Sequence, residues 1–233
     1  MKIECVWEHN GEDTLLYASQ FPGAFSRGEN LHIATEKMKA EINSYLRWKG
    51  CSSISCSQID IVQDASCHLQ VCDADSDVLF DTERLALSMD EYMQLKALTL
   101  KSAEDFHELY QSIPNKNDPL IPPRSTFYGQ IPCTAEEIYT HTKNVNSYYF
   151  GEIDVETDNI GSIMQCRING FEKLEENRSF LDNCVFDGSY GELWTLRKML
   201  RRFIWHDRIH AKSLYRRCAV LCSDDVVCNP FCF

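Results

Sequence analysis

The sequence predicts a small α+β unit followed by an all-α bundle of four helices. Three observations carry this. Up to about residue 85, apolar residues fall in short alternating runs, the period of half-buried strands. One helical pattern, from Leu31 to Gly50, interrupts them. From Ser88 onward apolar residues recur every three or four positions, the period of amphipathic helices. The change divides the 233 residues into expected domains 1–85 and 86–233.

In the first domain, "IECVWE" (3–8) and "TLLYAS" (14–19) flank Asn10-Gly11, a strong hairpin signal. Pro22-Gly23 marks a turn. Asn30 is a good helix N-cap, and Leu31, Ala34, Met38, Ile42 and Tyr45 share one helical face behind it. Gly50 closes the helix. "QIDIVQ" (58–63), "CHLQVCD" (67–73) and "SDVLF" (76–80) read as further strands of a small antiparallel sheet.

The second domain opens with Ser88 as a cap and a face of Tyr92, Leu95, Thr99, Ser102, Phe106 and Leu109. A connection from Pro114 to Pro132 carries five of the seven prolines; its length suggests a functional loop or a lid. Thr134 and Glu137 form a capping box, and Ile138, His141, Val145 and Tyr148 fall on one face of the helix that follows. A third helix is expected over about 160–180, through Met164, Ile168, Phe171 and Leu174, with Gly170 as its weak point. Gly188 and Gly191 frame a break. The last helix runs from Trp194 or Thr195 to about Leu221, roughly 40 Å at 1.5 Å per residue. Four helices with the longest last suggest an antiparallel bundle.

The formal charge of −12 argues against broad electrostatic binding to nucleic acid. The opening residues lack the apolar run of a signal peptide, and no stretch has the length of a membrane span. A cytoplasmic protein with reduced thiols is therefore expected. Its twelve cysteines include no CxxC pair; the nearest spacings are 51/56, 67/72 and 218/222/228/232, which read as small buried hydrophobes. "DADSD" (73–77) opens like a calcium loop but lacks the later Gly and Glu, so it reads as a turn.

"RRFIWHDRIHAKSLYRR" (201–217) places His206 and His210 one helical turn apart. They interrupt an apolar stripe of Leu196, Leu200, Phe203 and Leu214, while Arg and Lys crowd the other faces. A lone pair of this kind is usually hydrogen-bonded or solvated. A third histidine on the apolar face of another helix, His141, shifts the reading. Three imidazoles converging in a bundle pack poorly unless a cation holds them. His206-Asp207-x-x-His210 also approaches the metalloprotease motif HExxH. Asp207 is one methylene too short for its general base, and position 216 is Arg where a further histidine would fall, so Asp207 reads as a salt-bridge or supporting residue.

Two resemblances add to this. The early hairpin, "PGAFSRGEN" and the following helix resemble the HicB-like fold, whose Gly-Asp-Thr-x-x-Glu-Ala appears as Gly28-Glu29-Asn30-Leu31-His32-Ile33-Ala34, with Ile33 replacing the acid. "TAEEIYTHTKNVNSYYFGEI" and "GELWTLRKMLRRFIWHDRIHAKSLYRR" resemble the second and fourth helices of the DinB-like superfamily of four-helix bundles. That resemblance covers about residues 88–222 and implies a metal triad of His141, His206 and His210. It implies one divalent ion, zinc or nickel ahead of manganese or iron. It also implies thiol-dependent S-transferase or hydrolase activity on a small electrophile, with a low-molecular-weight thiol as co-substrate. Arg202, Arg208 and Tyr148 are the expected contacts for such a ligand. The competing expectation is a non-catalytic, metal-stabilised protein whose HicB-like domain recognises a partner. A small-molecule substrate and a homodimer are expected, without membrane or nucleic acid.

Overall fold

The computed structural model describes residues 2–55, 58–126, 129–222 and 227–233. Strands β1 (Lys2–Asn10) and β2 (Asp13–Ala18) form the expected hairpin, turning at Gly11 with φ +61°. Strand β3 (Phe25–Gly28) pairs antiparallel with β2. Helix α1 (Leu31–Trp48) is capped by Asn30, whose side chain accepts the Ile33 N–H at 3.0 Å.

Strand β4 (Gln58–Ser66) then pairs parallel with β1, giving the order β3-β2-β1-β4. The sheet is therefore mixed, not wholly antiparallel. A helical crossover after β3 returns the chain in the direction of β3, which is also that of β1.

The strands expected over 67–73 and 76–80 are absent. Residues 71–73 form a single 3-10 turn. Beyond it the buried Glu8 carboxylate accepts the N–H groups of Asp77 and Val78 at 3.0 and 3.1 Å. A side chain thus satisfies backbone donors that a ladder would otherwise use. The "DADSD" turn is bonded through Asp73 to the fork of Arg124, at 2.9 and 2.6 Å, which anchors the proline-rich connection. That connection holds the short pair β5 (Ser125–Thr126) and β6 (Gly129–Gln130).

Four helices follow the boundary: α2 (Met89–Ser112), α3 (Ala135–Gly151), α4 (Ile163–Glu175) and α5 (Leu196–Cys222). The pair β7 (Phe186–Asp187) and β8 (Leu193–Trp194) precedes α5. The expected capping box of Thr134 with Glu137 is formed, and the expected Ser88 cap is completed into a second box by Glu91. Helix α4 is shorter than the expected 160–180 because Ser162 caps it, accepting from Gln165 N–H at 3.2 Å. Its weak point, Gly170, has a packing reason: a Cβ there would lie 2.1 Å from the Phe150 ring. Helices α2 and α3 each touch both α4 and α5.

Helix α5 departs most from expectation. Residues 198–208 are all buried, on every face. Basic side chains in its buried first half are satisfied by groups of the first 85 residues. Lys198 donates to the Asp77 carbonyl at 2.6 Å, Arg202 to the Ser76 carbonyl at 2.7 Å, and Arg208 to Glu41 at 2.7 Å. Arg201 donates to Glu83. Between these cations, Trp205 packs edge-on to Tyr17 and Phe25, and Ile204 lies against Gly23, where a Cβ would sit 2.4 Å from it. One buried cluster joins Ile3, Met38 and Ile42 to Phe106, Leu109, Ile204 and Leu214. The boundary at 85/86 separates two runs of chain that share a core.

Among the described residues nine cysteines are thiols, with no disulfide. Cys5, Cys166 and Cys218 are buried. Cys56, half of the 51/56 pair, lies outside the described residues.

Candidate metal centre

Helix periodicity brings His206 and His210 to one side of α5, and the packing of α3 on α5 brings His141 to them. The Nε2 atom of His206 lies 3.2 Å from Nε2 of His141 and 3.2 Å from Nε2 of His210. All three potential ligand atoms fall within 4.8 Å of one another. His206 is buried, His210 partly buried and His141 exposed, so the cluster is reached from the α3 side.

Burial pushes the His210 imidazole down to about 3, with the charges of His141 and Arg27 adding to the effect. His206 is held well below its ordinary value by burial, then by His210 and His141. Burial also lowers His141. The three rings are therefore neutral at pH 7, each with a lone pair to offer.

Three neutral imidazoles cannot satisfy this geometry alone. The His206 Nε2 atom faces both of the others. If it carries a proton it has one N–H for two acceptors; if it does not, it has one lone pair for two donors. A cation resolves the conflict by accepting all three lone pairs. Imidazole nitrogens at about 2.0–2.1 Å from a tetrahedral zinc would be about 3.3 Å apart. Two of the three separations, at 3.2 Å, match that spacing, and the third lies within 4.8 Å. Three neutral ligands leave room for a further ligand, the pattern of open sites. One support is missing: the buried Nδ1 of His206 has no hydrogen-bond partner among the described residues.

The surroundings correct several expectations. His141 does not lie on the inward face of α3. Ile138, Thr142, Asn146 and Tyr149 hold that face, with Asn146 donating to the Cys166 carbonyl at 3.0 Å, and His141 sits at its rim. Tyr148 stands away from the triad, lining a separate cleft with Glu152 and Asp187. Its neighbour Tyr149 is the aromatic beside the site, edge-on to His206 at 6.0 Å. Arg208 is buried against Glu41 and turned to α1, so it cannot recruit a soluble ligand. Arg202 is buried too, with its guanidinium 4.7 Å from the Trp205 ring centre. Asp207 forms a fully buried pair with Arg167 of α4 at 3.3 Å, which removes it from any general-base role.

Sequence reasoning weighed Tyr149, with Tyr148 and Asn144, as able to line a pocket near His141 but favoured a packing role, and it missed Arg167 and Glu41. For Tyr149 the Tyr-Tyr pair was a signal, since positions seven and eight beyond His141 both return near its side of the helix. For Arg167 and Glu41 no local signal exists, because each looks like an ordinary solvated helix residue.

No family model matches the chain, and no curated protein or solved structure matches it. Among the described residues no helix is long and apolar enough to cross a membrane.

Proposed function

We propose that this chain is a DinB-like metal enzyme, in which His141, His206 and His210 hold one divalent ion, zinc or nickel, and a small electrophile is attacked by an external thiol or by water. The observation that carries the reading is the pair of 3.2 Å Nε2 separations that join buried His206 to partly buried His210 and exposed His141. On this reading α2–α5 are the four-helix bundle of that superfamily, and the first 80 or so residues are a HicB-like unit in a cytoplasmic protein.

A bound divalent ion would supply a Lewis acid that makes a thiol or water acidic near neutral pH. The chain's own residues supply the rest. Neutral ligands leave the cation its full charge, which favours an anionic nucleophile. Tyr149 packs on His206 and restricts its ring. Exposed His141 leaves the approach open. The HicB-like unit serves here as scaffold: its contacts with α5 are buried, so those surfaces are not offered to a partner.

The test is metal analysis of purified protein, then turnover of an alkyl halide or epoxide with bacillithiol, mycothiol and glutathione. Metal-loaded, chelated and His210→Ala proteins are compared. Conjugation or hydrolysis that requires both metal and His210 is expected. No retained metal and no metal-dependent change in melting temperature would remove the site. Bound metal without turnover would favour a metal-stabilised binding protein.

A further inference from the structure

A cleft of about 640 Å3 lies between α1 and the C-terminal half of α5, with β3 at one end and the Phe233 ring at its edge. That volume lies within the usual range of small-molecule sites. Six cationic side chains line it: Arg27, Lys37, Arg47, Lys212, Arg216 and Arg217. Among the described residues, the only side-chain carboxylate in the lining is Glu41, already shared by Arg208 and Lys212. This is a concentration of positive charge on a chain whose formal charge is −12.

A row of basic residues on a single helix is usually a solvated face. Here the cations come from three elements and converge across a concave surface. Like charges facing one another in this way are unfavourable unless an anion lies between them. The bonds that hold several of them go to neutral carbonyls: Lys37 to Arg27 at 2.9 Å, Arg47 to Cys232 at 3.3 Å, Arg217 to Leu120 at 3.2 Å. Their charge is oriented without being neutralised by those bonds.

The remaining lining mixes Ser26, Ser44 and Ser213 with apolar groups. Phe25, Ile209 and Phe233 contribute to it, and the Lys212 ammonium lies 5.6 and 5.1 Å from the two Phe ring centres. Guanidinium forks suit both phosphate and carboxylate oxygens.

We infer that this cleft binds a small dianion, a phosphate ester or dicarboxylate carried on an apolar body. It also neighbours the histidines. Ser213 lies one turn beyond His210 on α5, about 4.5 Å along the axis, and Arg217 about 10 Å along it on the same side. None of the three histidines lines the cleft, so its binding stands apart from the metal reading.

Calorimetric titration of chelator-treated full-length protein at low salt tests it. The probes are phenyl phosphate, phenylsuccinate, inorganic phosphate and neutral benzyl alcohol. Saturable binding of phenyl phosphate or phenylsuccinate is expected, at least tenfold tighter than benzyl alcohol and weakened by added salt. The double variant Arg27→Gln, Arg216→Gln should weaken it at least tenfold. Lys173→Gln, on the exposed side of α4, should not. If the double variant misfolds, Lys37→Gln alone should weaken binding severalfold. No saturable binding of either dianion, or binding indifferent to these substitutions, overturns the inference. Because the protein carries no metal in this experiment, the result is independent of whether the histidines hold one.

Discussion

Arg208 of α5 donates to Glu41 of α1 at 2.7 Å, with both side chains buried and 167 residues apart in the chain. The rings of Tyr45 and Trp48 flank the guanidinium, centred 5.1 and 4.9 Å from it. This pair, with Lys212 on the other carboxylate oxygen, bonds the first 85 residues to the helix that carries two of the three candidate ligands.

Glu41→Ala should therefore cost about 3–5 kcal/mol, because it leaves Arg208 charged and buried without a counter-ion. Replacing both partners by apolar residues, Glu41→Leu with Arg208→Met, should cost markedly less than the two single changes added together. Chemical denaturation of the four proteins gives the coupling. Additive losses would mean that the pair contributes no specific interaction.

The same carboxyl makes a pH prediction. Burial disfavours its ionisation, but Arg208 and Lys212 outweigh that and hold it below its ordinary value of 4.5. An acid with a folded-state value below its unfolded one stabilises the fold above the unfolded value, and loses that contribution as pH falls through the folded one. Wild type should thus lose stability below about pH 4.5 more steeply than Glu41→Gln. Melting curves from pH 7 to pH 3 measure the difference. Parallel curves would contradict it.

His141 and His206 should separate metal binding from folding. His141 is exposed, so His141→Ala should change metal-free stability by no more than about 0.5 kcal/mol. Zinc or nickel at about a hundred times its dissociation constant should raise the wild-type melting temperature by roughly 5–10 °C. His141→Ala and His206→Ala should both abolish that rise. A preserved rise in either variant would place the cation elsewhere.

A fragment of residues 86–233 is expected to be poorly folded. It would expose Ile204 and Trp205, and would strip Arg201, Arg202 and Arg208 of Glu83, the Ser76 carbonyl and Glu41. Aggregation or a broad, non-cooperative melt is the expected result. A soluble fragment with a sharp melt would show that the bundle has a sufficient core of its own.

Much of this was legible in one dimension. The Asn10-Gly11 hairpin, the helix behind Asn30, the Ser88 cap, the Thr134 capping box and the i,i+4 pairing of His206 with His210 all follow from short-range physics. Turn geometry, caps and helical period act within a few residues, so the sequence by itself determined them. The convergence of His141 on that pair was an inference from period as well, although its phase on α3 was misjudged. Hydrogen-bonded Thr142 and Asn146 turn inward there, and an apolar pattern does not register them.

Only the tertiary structure decided which faces of α5 are buried. Its arginines and lysines read as a solvated surface, because a helical period describes one helix and not what covers it. Long-range partners reverse that reading. Glu41, Glu83 and the carbonyls of residues 76 and 77 satisfy cations more than a hundred residues away, and make it possible to bury them. The parallel pairing of β4 and the basic cleft beside α1 belong to the same class. Each depends on which segments meet after the chain has crossed itself, and no local pattern encodes that meeting.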